Sequence, residues 1–354
     1  MKLSFDVLHL YYLPQYLPVY HEYVKRGCGE VTFVFYRSQY DTIIKSIINK
    51  EKLPAIWVNS PEEASEFYLE DKADWVFFAN EFAYLDELHK HSKSAQLGHG
   101  IGPKASYYSK SDTPTTVRFV EGAYRTARLN ERYPDDTFSN VGFCKLDPII
   151  NNTSKAICLA EVGLDPDKAT LLYAPTFYPS SIECFEADWP QVFSEYNILI
   201  KPHYFSLSKS KYASQRKLLE HWEKFSNVYM ATVEDYSLIP FMATADILIS
   251  DASSSLFEFS ALNKPVIWCD FLKLRWSYRG IFSYRFKKRM DQDYGEYKDI
   301  AVHAKSYKHL KSIVDDQIKK PQSLENVRLS FAEKLAGKID GKASERIINY
   351  LLEP

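Results

Sequence analysis

The residues Asp251-Ala252-Ser253-Ser254-Ser255 follow the apolar run Ile247-Leu248-Ile249 and precede Leu256-Phe257-Glu258-Phe259-Ser260-Ala261. A strand, a small hydroxyl-bearing loop and a helix in that order suit an anion. A helix starting at Ser254 or Ser255 would present unpaired N–H groups and the positive end of its dipole. Serine hydroxyls at Ser253, Ser254 and Ser255 add donors without bulk, and Glu258, one turn on, would reach ligand hydroxyls. Asn263-Lys264-Pro265 ends the helix and Val266-Ile267-Trp268-Cys269 resumes as a strand. The result is a βαβ unit, whose ligand site lies at the carboxyl ends of its strands. A plainer reading stands beside this one: a Ser-rich helix cap with Asp251 as a turn residue.

Three further segments sit at expected strand ends. In Gly98-His99-Gly100-Ile101-Gly102-Pro103-Lys104 the flanking glycines leave the backbone open to close approach. An imidazole there can take a proton from an attacking hydroxyl near neutral pH. Tyr173-Ala174-Pro175-Thr176 ends a strand in a proline turn and offers the Thr176 hydroxyl at its mouth. Ile198-Leu199-Ile200-Lys201-Pro202-His203 delivers a cation and an imidazole together. Lys201 suits a pyrophosphate as a point charge, and His203 can donate to a phosphoryl oxygen as charge develops. Taken singly, each has an ordinary alternative: a loop histidine, a strand terminator, a snorkelling lysine beside a surface histidine.

The elements that carry these residues alternate. Strands are expected over residues 5–10, 31–36, 55–58 and 75–79, with helices over 15–25, 38–50 and 61–69. The rhythm restarts after Leu164, with strands over 170–174, 196–201, 228–230, 247–250 and 266–269. The expected fold class is α/β, with two Rossmann-like domains facing across a cleft. The expected domains are 1–147, 148–323, and a helical segment 324–354 crossing back to the first.

Composition supports two well-filled cores: 354 residues, 45% hydrophobic and 25% charged. A net charge of -2 gives no global basic field, so no nucleic-acid partner is expected. The five cysteines form no Cys-x-x-Cys pair, which argues against a disulfide framework or a zinc site. Asp291-Gln292-Asp293 reads as a solvated loop, so neither a metal nor a cofactor is expected. No apolar run is long enough to span a membrane, and the N-terminus reads as a strand rather than a leader. A cytoplasmic protein is therefore expected, with membrane contact limited to peripheral association at the inner face. Between Phe271 and Met290 basic and aromatic residues interleave, a pattern equally suited to an anionic surface or polymer and to an irregular packed connection. Tyr11-Tyr12-Leu13-Pro14-Gln15-Tyr16-Leu17 is a second candidate surface patch, with packing between domains the preferred role.

The four segments, in this order, resemble the CDP-glycerol glycerophosphotransferase family, the teichoic acid primases and polymerases. His99, Gly100 and Lys104 match its His-Gly…Lys loop, with Ile101-Gly102-Pro103 in place of Thr-Pro-Leu. Gly142-Phe143-Cys144-Lys145-Leu146-Asp147 loosely matches its Gly-Tyr-Pro-Arg-x-Asp. Tyr-Ala-Pro-Thr is intact at Tyr173–Thr176, and Lys201-Pro202-His203 supplies its basic-Pro-His. Asp251-Ala252-Ser253-Ser254 stands for Asp-Tyr-Ser-Ser, Glu258 occupies a position usually held by aspartate, and Arg279-Gly280 is similar to an Arg-Gly position. The resemblance covers roughly residues 90 to 290, and the ordered set is far more specific than any member.

The resemblance implies a GT-B enzyme. CDP-glycerol would bind the C-terminal domain through Lys104, Thr176, Lys201, Asp251, Ser253, Ser254, Ser255, Glu258 and Arg279. His99 would act as general base on an acceptor hydroxyl, and His203 would assist as CMP leaves. The acceptor would be an envelope glycan, a teichoic acid-like or capsule polymer, or a lipid-linked primer. Three alternatives stay open: CDP-ribitol as donor, sugar transfer from a nucleotide sugar, and a module that binds phosphate polymers without chemistry.

Overall fold

Leu3, Phe5 and Val7 face one side of the first strand and Ser4 and Asp6 the other, yet all five are buried. A strand hidden on both faces belongs to a parallel sheet covered by helices. In the computed structural model, which describes residues 1–102, 105–251, 253–274 and 297–353, that is what forms. The chain comprises two compact units. The first contains Met1–Ile101, Ser106–Asn151 and the chain from Lys334 onward; the second contains Gly102, Ala105 and Asn152–Glu333.

The first unit holds β1 (Lys2–Val7), β2 (Glu30–Tyr36), β3 (Ala55–Val58), β4 (Trp75–Phe78), β5 (Lys93–Leu97), β6 (Val117–Val120) and β7 (Phe138–Asn140). All neighbours pair parallel in the order β3-β2-β1-β4-β5-β6-β7. The second unit holds β8 (Thr170–Tyr173), β9 (Asn197–Ile200), β10 (Val228–Met230), β11 (Ile247–Ser250), β12 (Val266–Cys269) and β13 (Val302–Ala304). Its order, β10-β9-β8-β11-β12-β13, is again all parallel. Each sheet is doubly wound, and its strand order reverses beside its first strand, where such sheets bind ligands.

The structure adds detail to the last segment and adds the strands β5, β6, β7 and β13 to those expected. Residues 324–352 are helical as expected, in two pieces, Glu325–Ala336 and Ala343–Leu352, parted where Gly337 and Gly341 adopt φ of +68° and +71°. A side chain at Gly337 would meet the Glu121 carbonyl at 2.1 Å, so only glycine fits that break. The second of these helices belongs to the first unit, where Tyr350 packs edge-on against Phe119 and Arg26 Nη1 donates to Asn349 Oδ1 at 2.6 Å. Asp147 fixes its start, accepting from the Ser344 N–H and hydroxyl at 2.7 Å each. The loosely matched Gly142–Asp147 stretch is thus a clasp for the C-terminal helix. The edge strands β7 and β13 are three residues each and carry polar Ser139, Asn140 and His303, too short and mixed to announce themselves.

Candidate functional site

In the second unit β8 and β11 are neighbours at the reversal point, and their carboxyl ends run into Ala174-Pro175-Thr176 and Asp251. Asp251 is fully buried. One carboxylate oxygen accepts from the Thr176 N–H at 2.8 Å; the other accepts from the Ser181 N–H and hydroxyl at 2.9 Å each. The Ser181 hydroxyl, donating to Asp251, leaves its lone pair to the buried Tyr173 hydroxyl at 2.9 Å. Burial first, then the Asp251 charge, raise the Tyr173 phenol well above its ordinary range. Asp251, expected at the ligand or in a turn, ties the loop after β8 to the end of β11.

The serine loop begins its helix where expected and is bonded internally. The helix spans Ser255–Ala261, and its Ser254 cap position makes no side-chain capping bond. Several N–H groups of the turn have partners within it. Ser253 N–H donates to Asp251 O at 2.7 Å, Ser255 N–H to Ser253 Oγ at 3.3 Å, Phe257 N–H to Ser254 O at 3.0 Å and Glu258 N–H to Ser254 O at 3.1 Å. Ser255 is buried, with its hydroxyl 3.0 Å from Ser253 Oγ and 3.2 Å from Ser250 Oγ, which in turn donates to the Ala174 carbonyl at 2.6 Å. Ser253 and Ser254 remain half-exposed. Glu258 is buried, 1% exposed, and so lies off the solvent face. Burial at that depth commits a carboxylate to polar partners.

Lys201 and His203 follow β9, whose strand is pinned to β8 by Lys201 N–H donating to Tyr173 O at 2.9 Å. Both side chains are half-exposed. His203 caps the helix Tyr204–Ser208: its Nδ1 accepts from the Phe205 N–H at 3.1 Å. An accepting Nδ1 carries no proton, so the ring hydrogen sits on Nε2, a donor. The Phe177 ring, 4.6 Å away between centroids, holds the imidazole plane. Thr176 is buried beside this strand end.

In the first unit His99 follows β5. Three phenol rings surround it: Tyr11 at 5.5 Å, Tyr12 at 5.2 Å and Tyr107 at 5.7 Å between centroids. Asn80 donates to the Tyr12 hydroxyl. The Tyr11–Leu17 stretch, a candidate surface patch for which packing is the preferred role, is largely buried, with Tyr12, Leu13 and Tyr16 among its buried residues. A pocket opens at His99, bordered by Asn80, Gln96, Arg118, Glu121 and Arg125. Arg118 donates to the carbonyls of Ser109, at 2.9 Å, and Tyr107, so it holds the turn that carries the Tyr107 ring. Burial lowers its guanidinium to about 10, still charged at neutral pH.

Most of this arrangement, from β2 to the C-terminal helix, falls within one family match. Residues 21–353 match the CDP-Glycerol:Poly(glycerophosphate) glycerophosphotransferase family. The chain belongs to that family.

Relatives within and around the glycerophosphotransferase family are distant. Teichoic acid glycerol-phosphate primase of Bacillus subtilis (strain 168) is 26% identical over 220 residues, 61% of this chain and 51% of that protein. Teichoic acid poly(ribitol-phosphate) polymerase of Bacillus spizizenii is 26% identical over 310 residues, 79% of this chain and 46% of that protein. The chain thus spans about half the length of the curated relatives it matches. Among solved structures, the wall teichoic acid polymerase TagF aligns with a TM-score of 0.66 at 18% identity, covering 99% of this chain and 88% of that one. The S. aureus MnaA–UDP complex aligns at 0.63 and 12% identity, covering 99% and 95%. These likenesses establish the fold as GT-B, two Rossmann-like units in one chain.

Several expected site residues come together in this chain and others do not. Thr176, Lys201, His203, Ser253 and Ser254 cluster at the carboxyl edge of the second sheet, whereas His99 belongs to the first unit. Lys104 and Arg279 lie outside the described residues, as do Asp291, Gln292, Asp293 and most of the basic-aromatic stretch. Among the described residues no group of three or more His, Cys, Asp or Glu is placed to hold a metal, and no helix is long and apolar enough to cross a membrane. Sequence reasoning missed Ser181, Tyr107, Arg118, Glu121 and Arg125. Arg118 lies buried inside the strand Val117–Val120, which was not among the expected strands, so no signal in the sequence pointed to it.

Proposed function

We propose that this protein transfers glycerol phosphate from CDP-glycerol to a hydroxyl of a cell-envelope glycan or polymer, releasing CMP. The observation that carries the reading is His203: with Nδ1 bonded to the Phe205 N–H, its Nε2–H is a fixed donor beside Lys201 at the end of β9. That pair suits a pyrophosphate whose bridging oxygen gains charge. The acceptor oxygen attacks the β-phosphorus, a P–O bond to the acceptor forms, and the bond from the β-phosphorus to the bridging oxygen breaks. CMP leaves with that oxygen. The acceptor proton passes to His99. Phosphoryl transfer of this kind rests on positioning and charge stabilisation.

The internal bonding of the serine turn shifts weight within the expected donor set. Ser253 and Ser254 side chains, Lys201 and His203 bind the phosphates; Asp251, Ser255 and the first-turn N–H groups shape the turn. Lys104, Glu258, Thr176 and Arg279 complete the proposed donor set. Charge on the leaving CMP falls to Lys201 and His203, so transfer is expected to persist in EDTA.

CDP-ribitol is the second donor to consider, because the ribitol-phosphate polymerase match extends over more of this chain than the primase match, 79% against 61%. Nucleotide release from CDP-glycerol, CDP-ribitol and UDP-sugars, each with envelope glycans as acceptor, tests the proposal. CMP from a CDP-polyol supports it; release of UDP from a sugar donor would make the enzyme a glycosyltransferase.

A further inference from the structure

The three tyrosine rings packed on His99 are not equivalent, and one of them is anchored at both ends. Tyr12 follows β1, Asn80 follows β4 and His99 follows β5. These three strands are neighbours in the first sheet, so its reversal point brings the three side chains together. The Tyr12 backbone is fixed twice. Its N–H donates to the His9 carbonyl at 2.9 Å, closing the turn Leu10–Tyr12, and the residue caps the helix Leu13–Lys25. At the far end of the side chain Asn80 Nδ2 donates to the hydroxyl. Between those anchors the ring is 1% exposed and lies 5.2 Å from the imidazole centroid, tilted by 38°. Tyr11 and Tyr107 meet the imidazole closer to edge-on, at 67° and 82°. Tyr11 also packs edge-on against Tyr12, 4.7 Å away between centroids, so Tyr12 backs two sides of the imidazole.

Tyr12 does not itself exchange protons. Burial raises its phenol well above the ordinary range, so it stays protonated wherever an imidazole can act as base. What it can supply is orientation. A base takes a proton only when its nitrogen is aimed at the attacking hydroxyl, and a displacement of about 1 Å costs on the order of a hundredfold in rate. Gly98 and Gly100 flank His99 and constrain its backbone little, which leaves more of the ring's orientation to its packing. We propose that Tyr12, held by Asn80, is a positioning residue that fixes the His99 imidazole in the orientation required of the general base. The inference rests on the transfer reaction proposed above. It concerns a residue that precedes the stretch 21–353 matched by the family.

Tyr12→Phe keeps the ring and removes its anchor. Asn80→Ala removes the same anchor from the other side, at an exposed position, which keeps the test open if Tyr12→Phe does not fold. Each is expected to lower kcat about tenfold, short of the loss from a full ångström's displacement, with the KM for CDP-glycerol unchanged. The double variant is expected to lose no more than either single one, because both break one contact. Tyr12→Leu, which removes the ring, is expected to lose about a hundredfold. An unchanged kcat in Tyr12→Phe, or losses that multiply in the double variant, overturns the proposal. Orientation is read separately, without donor or turnover, from NOEs between the His99 and Tyr107 rings in deuterated protein carrying protonated histidine and tyrosine. These are expected to weaken in Tyr12→Phe and in Asn80→Ala; NOEs as strong as in the wild type overturn the proposal. Weakened NOEs in a protein that releases no CMP support the positioning and count against the transfer reaction instead.

Discussion

Asp251 accepts a 2.8 Å hydrogen bond from the Thr176 N–H, a contact between residues 75 apart that joins the ends of the two strands flanking the reversal point of the second sheet. The same carboxylate takes two bonds from Ser181. Its removal therefore leaves three buried donors unsatisfied. Asp251→Asn turns an amide donor toward a backbone donor, and the expected loss is roughly 3 kcal/mol of unfolding free energy. Denaturant melts of purified protein check this. A variant as stable as wild type but unable to bind CDP-glycerol would instead return Asp251 to the ligand.

His203 separates two roles by atom. Asparagine can replace Nδ1 as the cap acceptor for the Phe205 N–H but has nothing at the Nε2 position. His203→Asn should fold normally, bind donor nearly as well, and lose about a hundredfold in kcat, the scale of one lost transition-state donor. Single-turnover kinetics alongside donor binding measure both terms. An unchanged kcat would remove His203 from the chemistry.

His99→Ala is expected to abolish turnover with only modest loss of nucleotide binding. Retention of more than about a tenth of the wild-type rate would end its role as base, since general-base contributions run to a hundredfold or more.

Asp6 predicts a pH signature unrelated to catalysis. It is buried at the end of β1, and its carboxylate accepts from the Tyr36 and Tyr68 hydroxyls at 2.6 and 2.8 Å. Burial pushes it up to about 6, against the opposing effect of those two hydroxyls. A folded-state value above the unfolded one means that its contribution to stability is fully present below the ordinary carboxylate range and is lost as pH rises through about 6. The difference amounts to about 3 kcal/mol. Asp6→Asn should therefore gain on the wild type as pH rises from 4 to 7. Parallel thermal melts across that window test it; two parallel curves would show that Asp6 does not titrate there.

The chain announced its site by position more than by partners. An apolar run ending in Lys201-Pro202-His203, or in Asp251 and serines, marks the carboxyl end of a buried parallel strand, and all of these residues do lie at such ends. What could not be read is which groups turn inward. The Asp251–Ser181 bonds cross 70 residues, and the Asp147–Ser344 clasp crosses 197. Linear spacing says nothing of either. Of the serines read as donors to a ligand, Ser253 and Ser255 lie 3.0 Å apart through their hydroxyls, a pairing that spacing alone does not reveal. His203 looked like a surface turn residue or a ligand contact; the short helix it caps has no apolar period to reveal it. Arg118 and Arg125 were passed over because no motif contains them, and only the folded strand Val117–Val120 and the helix after it bring them to the pocket at His99.

The fate of the β-phosphorus tests the central claim most directly. CDP-glycerol labelled with 32P at the β position is incubated with the enzyme and an envelope polymer, and the label is followed. Transfer of glycerol phosphate predicts label in the polymer, in a phosphodiester, with unlabelled CMP released in equal amount. Label recovered in CDP, with none in the polymer, would mean that the bond broken is the one to glycerol, and would contradict the account.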